Sequence, residues 1–240
     1  MGSLILARHG QATFLAEDYD RLSPLGETQS RLLGMYWAEQ QITFDAVFSG
    51  PRVRQVRTAE IAAKAYGEQS GKLWPATTIV NELDEYDGTA VMDKVLPRLI
   101  EVDPEARLLV ERYEQSRGTS EERKGFQLLF EAVMQAWISG AVVPPGVEPW
   151  SAFVERVRNG ISRLIKGNGG GRRLVAFTSG GPISVAMQMA LGVSDQKAVE
   201  LNWQVRNASL TQFLFSKSRF TLDSFNALPH LKDQTTWSYR

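Results

Sequence analysis

Short apolar runs alternate with longer amphipathic stretches along most of the chain. The runs that predict buried strands cover residues 4–7, 46–48, 77–80, 174–177 and 210–215. Apolar positions recur at helical spacing over residues 25–40, 52–66, 153–165 and 182–191. Strands that alternate with helices predict an α/β fold, with a mostly parallel sheet and helices on both of its faces.

The alternation stops between about residues 87 and 150. Charged helical patterns follow there, over residues 91–100, 106–115 and 121–139. A helical block between strands is most simply an insertion at one edge or end of the sheet, where it can lie over a site. We therefore predict a single domain over residues 1–240, with residues 87–150 as a helical insertion within it.

One glycine-rich patch, Asn168-Gly169-Gly170-Gly171, is the only compositional bias in the chain. It follows an amphipathic stretch and precedes an apolar run, so it predicts a turn from helix to strand. A phosphate-binding glycine loop leads from strand into helix instead, and we expect no phosphate site at this patch.

Composition excludes several classes of site. The chain has 240 residues with 27 Lys and Arg against 27 Asp and Glu, which gives no electrostatic reason to expect a nucleic acid or an anionic membrane as partner. The absence of Cys excludes disulfides, Cys-ligated zinc and a cysteine nucleophile. The chain has two histidines, His9 and His230, so we expect no histidine-rich metal site, and neither a metal nor a cofactor.

The N-terminal apolar run over residues 4–7 ends at Arg8 and His9. It is far shorter than the apolar core of a signal peptide or a membrane span. We therefore expect a cytoplasmic protein that does not bind membranes.

The end of the first predicted strand carries residues suited to phosphate chemistry. Ligands of open α/β sheets bind beyond the carboxyl ends of the strands, and the first strand leads into Arg8-His9-Gly10. A guanidinium is a planar donor for phosphate, and an imidazole can act as nucleophile or base. On its own, a histidine at a strand end is more often a structural residue than a catalytic one, so the rest of the chain must decide.

Several other segments, in chain order, resemble motifs of the histidine phosphatase superfamily, the phosphoglycerate mutase-like proteins. The similar segments are residues 6–13 (LARHGQAT), 22–29 (LSPLGETQ), 44–54 (FDAVFSGPRVR), 58–60 (TAE), 83–85 (LDE) and 206–211 (RNASLT). Each match is moderate by itself, but together and in order they are specific.

The resemblance implies a two-step phosphoryl transfer. His9 would attack the phosphorus of a phosphomonoester in line and form a phosphohistidine, from which water would release phosphate. Arg8 and Arg54 would hold the phosphoryl oxygens, because positive charge is most effective in a site that excludes water. The expected ligand is therefore a small phosphorylated substrate, or phosphate itself.

A carboxyl group would protonate the leaving alkoxide, and the resemblance assigns this role to Glu85. Glu82, Asp84, Glu85 and Asp87 lie within six residues, so repulsion between like charges could raise the pKa of one of them. Any of the four could equally be a surface charge. We prefer Glu85 because Leu83 precedes it as in the family motif, with Glu82 as second choice.

The sequence departs from the family at Ser179, which stands where the resemblance predicts a second catalytic histidine. A hydroxyl replaces the hydrogen bond of that imidazole but not its charge, and loss of one transition-state donor costs about 10²–10³ in rate. Gly180 and the helix start at Pro182 still suit an anion through backbone N–H groups and the helix dipole, with a plain tight turn as the alternative. We predict that phosphate binding survives better than turnover.

The remaining polar candidates are weaker. Gln11, Thr13 and Asn207 are secondary candidates for ligand contacts, with ordinary turn hydrogen bonds as the alternative. His230 resembles a histidine-leucine segment near the C-terminus of relatives, and we expect it to be structural.

A serine esterase is a further alternative, because Ser179, Asp223 and His230 follow the chain order of the α/β-hydrolase triad. Phe177 stands two residues before the serine, where the sharp nucleophile turn requires a small residue, and this alternative therefore ranks low.

The sequence thus predicts a phosphomonoester hydrolase of the histidine phosphatase type, slowed by Ser179. The alternative from another class is a catalytically silent pseudoenzyme that binds phosphate or a phosphorylated ligand in the same pocket. A phosphoglycerate mutase is less expected, because return of the phosphoryl group requires a long-lived phosphohistidine.

Overall fold

The computed structural model describes residues 1–13, 20–168 and 171–239. The chain forms two compact units, one made of Met1–Glu85 with Arg156–Arg240 and the other of Tyr86–Glu155. That residues 87–150 form an insertion within a single domain stays a prediction.

The first unit contains a six-stranded sheet in the order β3-β2-β4-β1-β5-β6. The strands are β1 (Gly2–Arg8), β2 (Ala46–Ser49), β3 (Thr77–Ile79), β4 (Arg173–Thr178), β5 (Leu210–Phe215) and β6 (Phe220–Ala227). The first four strands of that order pair in parallel, and β5 and β6 extend the sheet antiparallel from β1. The α/β prediction is confirmed.

Eight α-helices lie in the described part of the chain. They are α1 (Pro24–Glu39), α2 (Val53–Ser70), α3 (Gly88–Val102), α4 (Pro104–Ser116), α5 (Glu122–Ile138), α6 (Trp150–Asn168), α7 (Gly180–Leu191) and α8 (Asp195–Gln204). A short 3₁₀ helix, Asn81–Leu83, follows β3. Gly169 and Gly170 of the predicted glycine turn lie outside the described residues, but the elements on either side are the expected helix and strand.

Helices α1 and α2 begin with local signals and pack closely. The Ser23 hydroxyl accepts from the N–H of Gly26, and Pro24 occupies the first helical turn. A Cβ on Gly34 would lie 2.1 Å from the carbonyl oxygen of Ala62, so glycine is required where α1 crosses α2. This contact fixes α2, which carries part of the candidate site.

One apolar core cluster of the first unit lies between the sheet and these two helices. Trp37 is fully buried there, and its ring lies 5.0 Å from that of Phe44 and 6.0 Å from that of Phe177. Aromatic rings of this size bury large apolar areas, so they stabilise the sheet against α1 and α2. The carboxyl ends of the parallel strands are thereby held in place.

The second unit is helical, as the sequence predicts. Asp87 and Asp103 cap α3 and α4 by accepting from the N–H groups of Ala90 and Glu105. The ring of Trp137 lies 5.3 Å from that of Trp150 within this unit. None of the helices formed by the described residues has both the length and the apolar character needed to cross a membrane.

Candidate active site

His9 lies directly after β1, where the chain leaves the sheet. Its N–H donates to the Thr178 carbonyl at 2.9 Å, and its carbonyl accepts from the N–H of Ala208 at 3.1 Å. The side chain is only 5% exposed. A Cβ on the following residue, Gly10, would lie 2.4 Å from the carbonyl oxygen of Gly26, so this close approach requires glycine.

The hydrogen bonds of the His9 ring define its tautomer. Nδ1 lies 2.7 Å from the carbonyl oxygen of Gly10, and Arg54 Nε donates to His9 Nε2 at 3.1 Å. A carbonyl can only accept and a guanidinium can only donate, so the proton lies on Nδ1 and the lone pair on Nε2. Burial, and then the charges of Arg54 and Arg8, hold the pKa of His9 well below its ordinary value, against the hydrogen bond to Gly10. His9 is therefore neutral near pH 7, with Nε2 as its basic nitrogen.

Arg54 lies at the start of α2 with its side chain 7% exposed. Its Nη1 forms an ion pair with Asp20 Oδ1 at 2.8 Å, while Asp20 Oδ2 accepts from the N–H of Val53 at 2.8 Å. Asp20 thus caps α2 and places a carboxylate against the arginine. An anionic ligand that approaches Arg54 meets this carboxylate as a competitor.

Arg8 is the last residue of β1, and its Nη1 donates to the carbonyl of Val205. Its charge acts on His9, where it lowers the pKa of the imidazole. The structure therefore brings both predicted arginines into electrostatic contact with His9.

In the described ranges no group of three or more His, Asp or Glu side chains is arranged to hold a metal ion.

Ser179 leaves the sheet beside His9. Arg8 and Thr178 are aligned in the parallel β1–β4 pair, so the next residue of each strand emerges at the same edge. Ser179 is 1% exposed, and its Oγ accepts from Gln55 Nε2 at 2.8 Å.

The predicted phosphate contact Gly180 is the first residue of α7, directly after Ser179. A Cβ on Gly180 would lie 2.0 Å from Asn202 Oδ1. A side chain at this position would therefore have to displace the amide of Asn202. The place of Gly180 at a helix N-terminus keeps it suited to an anion, as the sequence predicts.

Glu85 reaches the start of the same helix. Its Oε2 accepts from the N–H of Gly181 at 2.9 Å. The segment that carries Glu85 is anchored upstream, because Arg156 Nη1 donates to the carbonyls of Glu82 and Asp84, each at 3.1 Å. Glu85 and Ser179 therefore meet at one helix terminus.

The three acids near Glu85 in sequence make other contacts than Glu85 does. Those three engage other groups: Glu82 pairs with Arg163 at 2.8 Å, Asp84 with Arg52 at 2.5 Å, and Asp87 caps α3. Glu82, the second choice for the proton donor, is thus engaged in an ion pair with Arg163.

The secondary candidates make hydrogen bonds within the loops. Gln11 Oε1 accepts from the Ser23 hydroxyl at 2.8 Å, and the N–H of Thr13 donates to the Arg21 carbonyl at 2.9 Å. Asn207 Nδ2 lies 3.5 Å from the carbonyl oxygen of His9. These contacts support the loop that carries His9, and ligand contacts by the three residues stay a prediction.

The three residues of the alternative serine triad are not joined by hydrogen bonds. Ser179 Oγ contacts Gln55, and Asp223 Oδ2 accepts from Gln212 at 3.0 Å. His230 is 6% exposed, and neither of its ring nitrogens has a hydrogen-bond partner among the residues described. The geometry therefore gives the serine esterase alternative no support.

The family comparison agrees with this arrangement. The sequence matches the profile of the histidine phosphatase superfamily (branch 1) over residues 4–112 and 94–228. The chain belongs to the histidine phosphatase superfamily. A search of curated proteins finds no match.

Solved structures share the fold of this member of the superfamily. Phosphoglycerate mutase from Bacillus anthracis is 20% identical, with 95% of this chain and 94% of that chain covered and a TM-score of 0.62. A phosphoserine phosphatase mutant from Entamoeba histolytica in complex with phosphoserine is 19% identical, with 96% and 100% covered and a TM-score of 0.61. Mycobacterial glucosyl-3-phosphoglycerate phosphatase is 21% identical, with 94% and 98% covered and a TM-score of 0.58.

Three residues of the candidate site were not predicted from the sequence. Gln55 holds Ser179, Asp20 holds Arg54, and Thr58 accepts from the N–H of Gly10 at 3.0 Å. Thr58 lies one helical turn after Arg54, and that spacing is a signal that could have placed it on the same face of α2. Gln55 and Asp20 carry no comparable signal, because their contacts join segments remote in sequence.

Proposed function

We propose that this member of the histidine phosphatase superfamily hydrolyses phosphomonoesters through a phosphohistidine formed on His9. The proposal is carried by one observation: the buried, neutral ring of His9 has its Nε2 lone pair beside the guanidinium of Arg54. Such a nitrogen is a nucleophile that needs no prior deprotonation, and the arginine offers charge to the phosphoryl oxygens.

In the first step, His9 Nε2 forms a bond to phosphorus while the ester P–O bond breaks. Arg8 and Arg54 hold the non-bridging oxygens, and the Gly10 carbonyl stabilises the imidazolium through Nδ1–H. Glu85 gives its proton to the leaving alkoxide, which requires the carboxyl group to be protonated when substrate binds.

In the second step, water attacks the phosphohistidine and the N–P bond breaks. The Glu85 carboxylate accepts the proton of that water, so it returns to its starting form. Inorganic phosphate leaves and His9 is again neutral. The two steps together consume one phosphomonoester and one water, and they need no other reactant.

Ser179 takes the place of the second catalytic histidine in this proposal. It is neutral, so the charge that an imidazolium would supply to the transition state is missing. We expect turnover about 10²–10³ below that of a site with this donor intact. A mutase stays the less expected reaction, because the phosphohistidine of this site loses one stabilising charge.

The proposed substrates are small phosphorylated molecules. The Entamoeba histolytica phosphatase has been crystallised with phosphoserine and with 3-phosphoglyceric acid. These are compact anionic phosphomonoesters, and this chain offers arginines to such a group.

A second candidate function is phosphate binding without turnover. It is favoured by the neutral Ser179 hydroxyl together with the Asp20 carboxylate that already pairs with Arg54. In such a pseudoenzyme, the same pocket would recognise a phosphorylated ligand and leave it intact.

Hydrolysis of an aryl phosphate by wild type, His9→Ala and Ser179→Ala distinguishes the candidates. A phosphatase requires wild type to exceed His9→Ala. Equal rates for these two, with phosphate still bound, would identify the binding module. Turnover that survives His9→Ala but disappears in Ser179→Ala would overturn both in favour of a serine hydrolase. Thermal unfolding of each variant checks that the fold is intact.

A further inference from the structure

We propose that Gln55 is a positioning residue that directs the hydroxyl proton of Ser179 toward a phosphoryl oxygen. The inference rests on the proposed function, since it concerns the same site. It assigns a role to a side chain that contacts Ser179 and has no expected contact with the substrate.

The orientation of the Gln55 amide follows from its neighbours. Oε1 accepts from the backbone N–H of Arg52 at 3.1 Å. Because a backbone N–H can only donate, the oxygen must face it, and Nε2 must face the other way. Nε2 lies 2.8 Å from Ser179 Oγ and 3.5 Å from the carbonyl oxygen of Leu83. Gln55 is therefore a donor to Ser179.

This direction determines where the proton of Ser179 can go. The hydroxyl oxygen accepts from Gln55, so its own proton must point to another acceptor. Within the described residues, Ser179 Oγ donates to no group, although Ser179 is 1% exposed. A buried donor without an acceptor is costly, and it therefore points to an acceptor that arrives with a ligand.

Strand register places that donor beside the nucleophile. The N–H of His9 donates to the carbonyl of Thr178 at 2.9 Å, and Thr178 directly precedes Ser179. A phosphoryl group on His9 carries ionised oxygens, which accept hydrogen bonds but donate none. The Ser179 proton thus has a suitable acceptor when the site is occupied.

Packing fixes the amide before any ligand binds. Gln55 is fully buried, and a Cβ on Gly50 would lie 2.2 Å from Gln55 Oε1. Glycine at the end of β2 therefore leaves the room that the amide needs. A donor held in advance costs no reorganisation during the reaction, so a neutral Gln55–Ser179 pair partly compensates for the missing charge.

The test is the isosteric change Gln55→Glu, assayed at mildly alkaline pH. An ionised carboxylate accepts but cannot donate, so the Ser179 proton turns to it and leaves the phosphoryl oxygen. We expect kcat to fall about tenfold or more, the effect of one lost hydrogen bond in the transition state. At lower pH the introduced carboxyl group is protonated and donates again, so the rate relative to wild type recovers. Gln69→Glu, the same change at an exposed position of α2, is the matched control and leaves the rate unchanged.

Gln55→Met covers the case in which a buried carboxylate prevents folding. It keeps the length of the side chain but removes the donor, so the hydroxyl is free to rotate and a smaller loss of rate is expected. Each variant is also made with Ser179→Ala. If Gln55 acts through Ser179, neither change lowers kcat further in that background. Equal losses with and without Ser179→Ala would overturn the inference.

Titration with inorganic phosphate separates this inference from the proposed function. If wild type and His9→Ala hydrolyse the substrate at equal rates, the proposed enzymatic function is wrong. The role of Gln55 is then decided by the phosphate affinities of the same Gln55 and Ser179 variants. If hydrolysis requires His9 but the Gln55 and Ser179 losses add independently, only the Gln55 inference is wrong. A wild type that binds no phosphate contradicts both.

Discussion

Arg54 Nε donates to His9 Nε2 across 3.1 Å, so the arginine charge lies against the nitrogen that carries the lone pair. Burial, and then this charge, lower the pKa of His9 and keep a proton off the nitrogen that must attack phosphorus. The same guanidinium also faces Asp20 through Nη1. The protonation of His9 and the ability of Arg54 to bind a phosphoryl group therefore depend on the same guanidinium.

Replacing Arg54 by Met should raise the pKa of His9 toward its ordinary value of 6.5. Burial and Arg8 still lower the pKa of His9 in this variant, so the rise is partial. An NMR titration of the imidazole signals reads it directly, because the chain has only two histidines. An unchanged His9 pKa would contradict the assigned contact.

Asp20→Asn should tighten the binding of inorganic phosphate several-fold. The substitution removes the carboxylate that competes for Arg54, while its remaining oxygen still accepts from the N–H of Val53 and caps α2. Stability should change little, whereas Asp20→Ala also loses the cap and about 1 kcal/mol of stability. Calorimetric titration and thermal unfolding measure the two effects. Equal or weaker phosphate binding in Asp20→Asn would show that the carboxylate does not compete.

Glu85→Gln should lower kcat far more for an alkyl phosphate than for a nitrophenyl phosphate. The alkoxide requires a proton from Glu85 as it leaves, whereas nitrophenolate leaves without one. Glu82→Gln is the matched control, since Glu82 pairs with Arg163 outside the Gly181 contact. Steady-state rates on both substrates give the comparison. A loss that is the same for both substrates would argue against Glu85 as the acid.

Much of the sheet was predictable because buried strands leave short apolar runs. The prediction of a buried strand at residues 77–80 was wrong in its burial, because β3 is exposed at the edge of the sheet. The pattern did not predict β6, whose residues are half-buried and pair antiparallel with β5 at the edge of the sheet. It also missed α8, a helix of 10 residues with few buried positions. Both elements have few fully buried positions, so they lack the periodic apolar signal of an element that is covered on one or both faces.

The candidate site was predictable where a residue follows a strand or a motif. His9, Arg8 and Ser179 come directly from strand ends, and the structure brings them together. The motif position of Leu83 favoured Glu85 over Glu82, but it did not predict that Glu85 accepts from the N–H of Gly181 while Glu82 pairs with Arg163. The spacing of residues along the sequence does not predict such tertiary contacts.

Buried His230 should make the protein less stable in acid. Burial lowers its pKa to about 3 from an ordinary value of 6.5, so the unfolded chain binds the proton more readily than the folded one. Stability is full above pH 6.5 and falls by about 1.4 kcal/mol per pH unit as the pH drops toward 3.

His230→Leu tests this dependence, because it removes the titrating ring and its two nitrogens that lack partners within the described chain. Denaturant unfolding over that pH range should show a shallower loss of stability than wild type, with no loss near neutral pH. Parallel curves for the two proteins would contradict the assignment to His230.

Trapping of the phosphorylated enzyme tests the central claim most directly. Wild type is mixed with a phosphomonoester, quenched in alkali, and examined by mass spectrometry for an acid-labile phosphoryl group. The proposed function predicts phosphate on the peptide that contains His9, with none in His9→Ala. Hydrolysis of the same substrate without phosphorylation at His9 would contradict the phosphohistidine route.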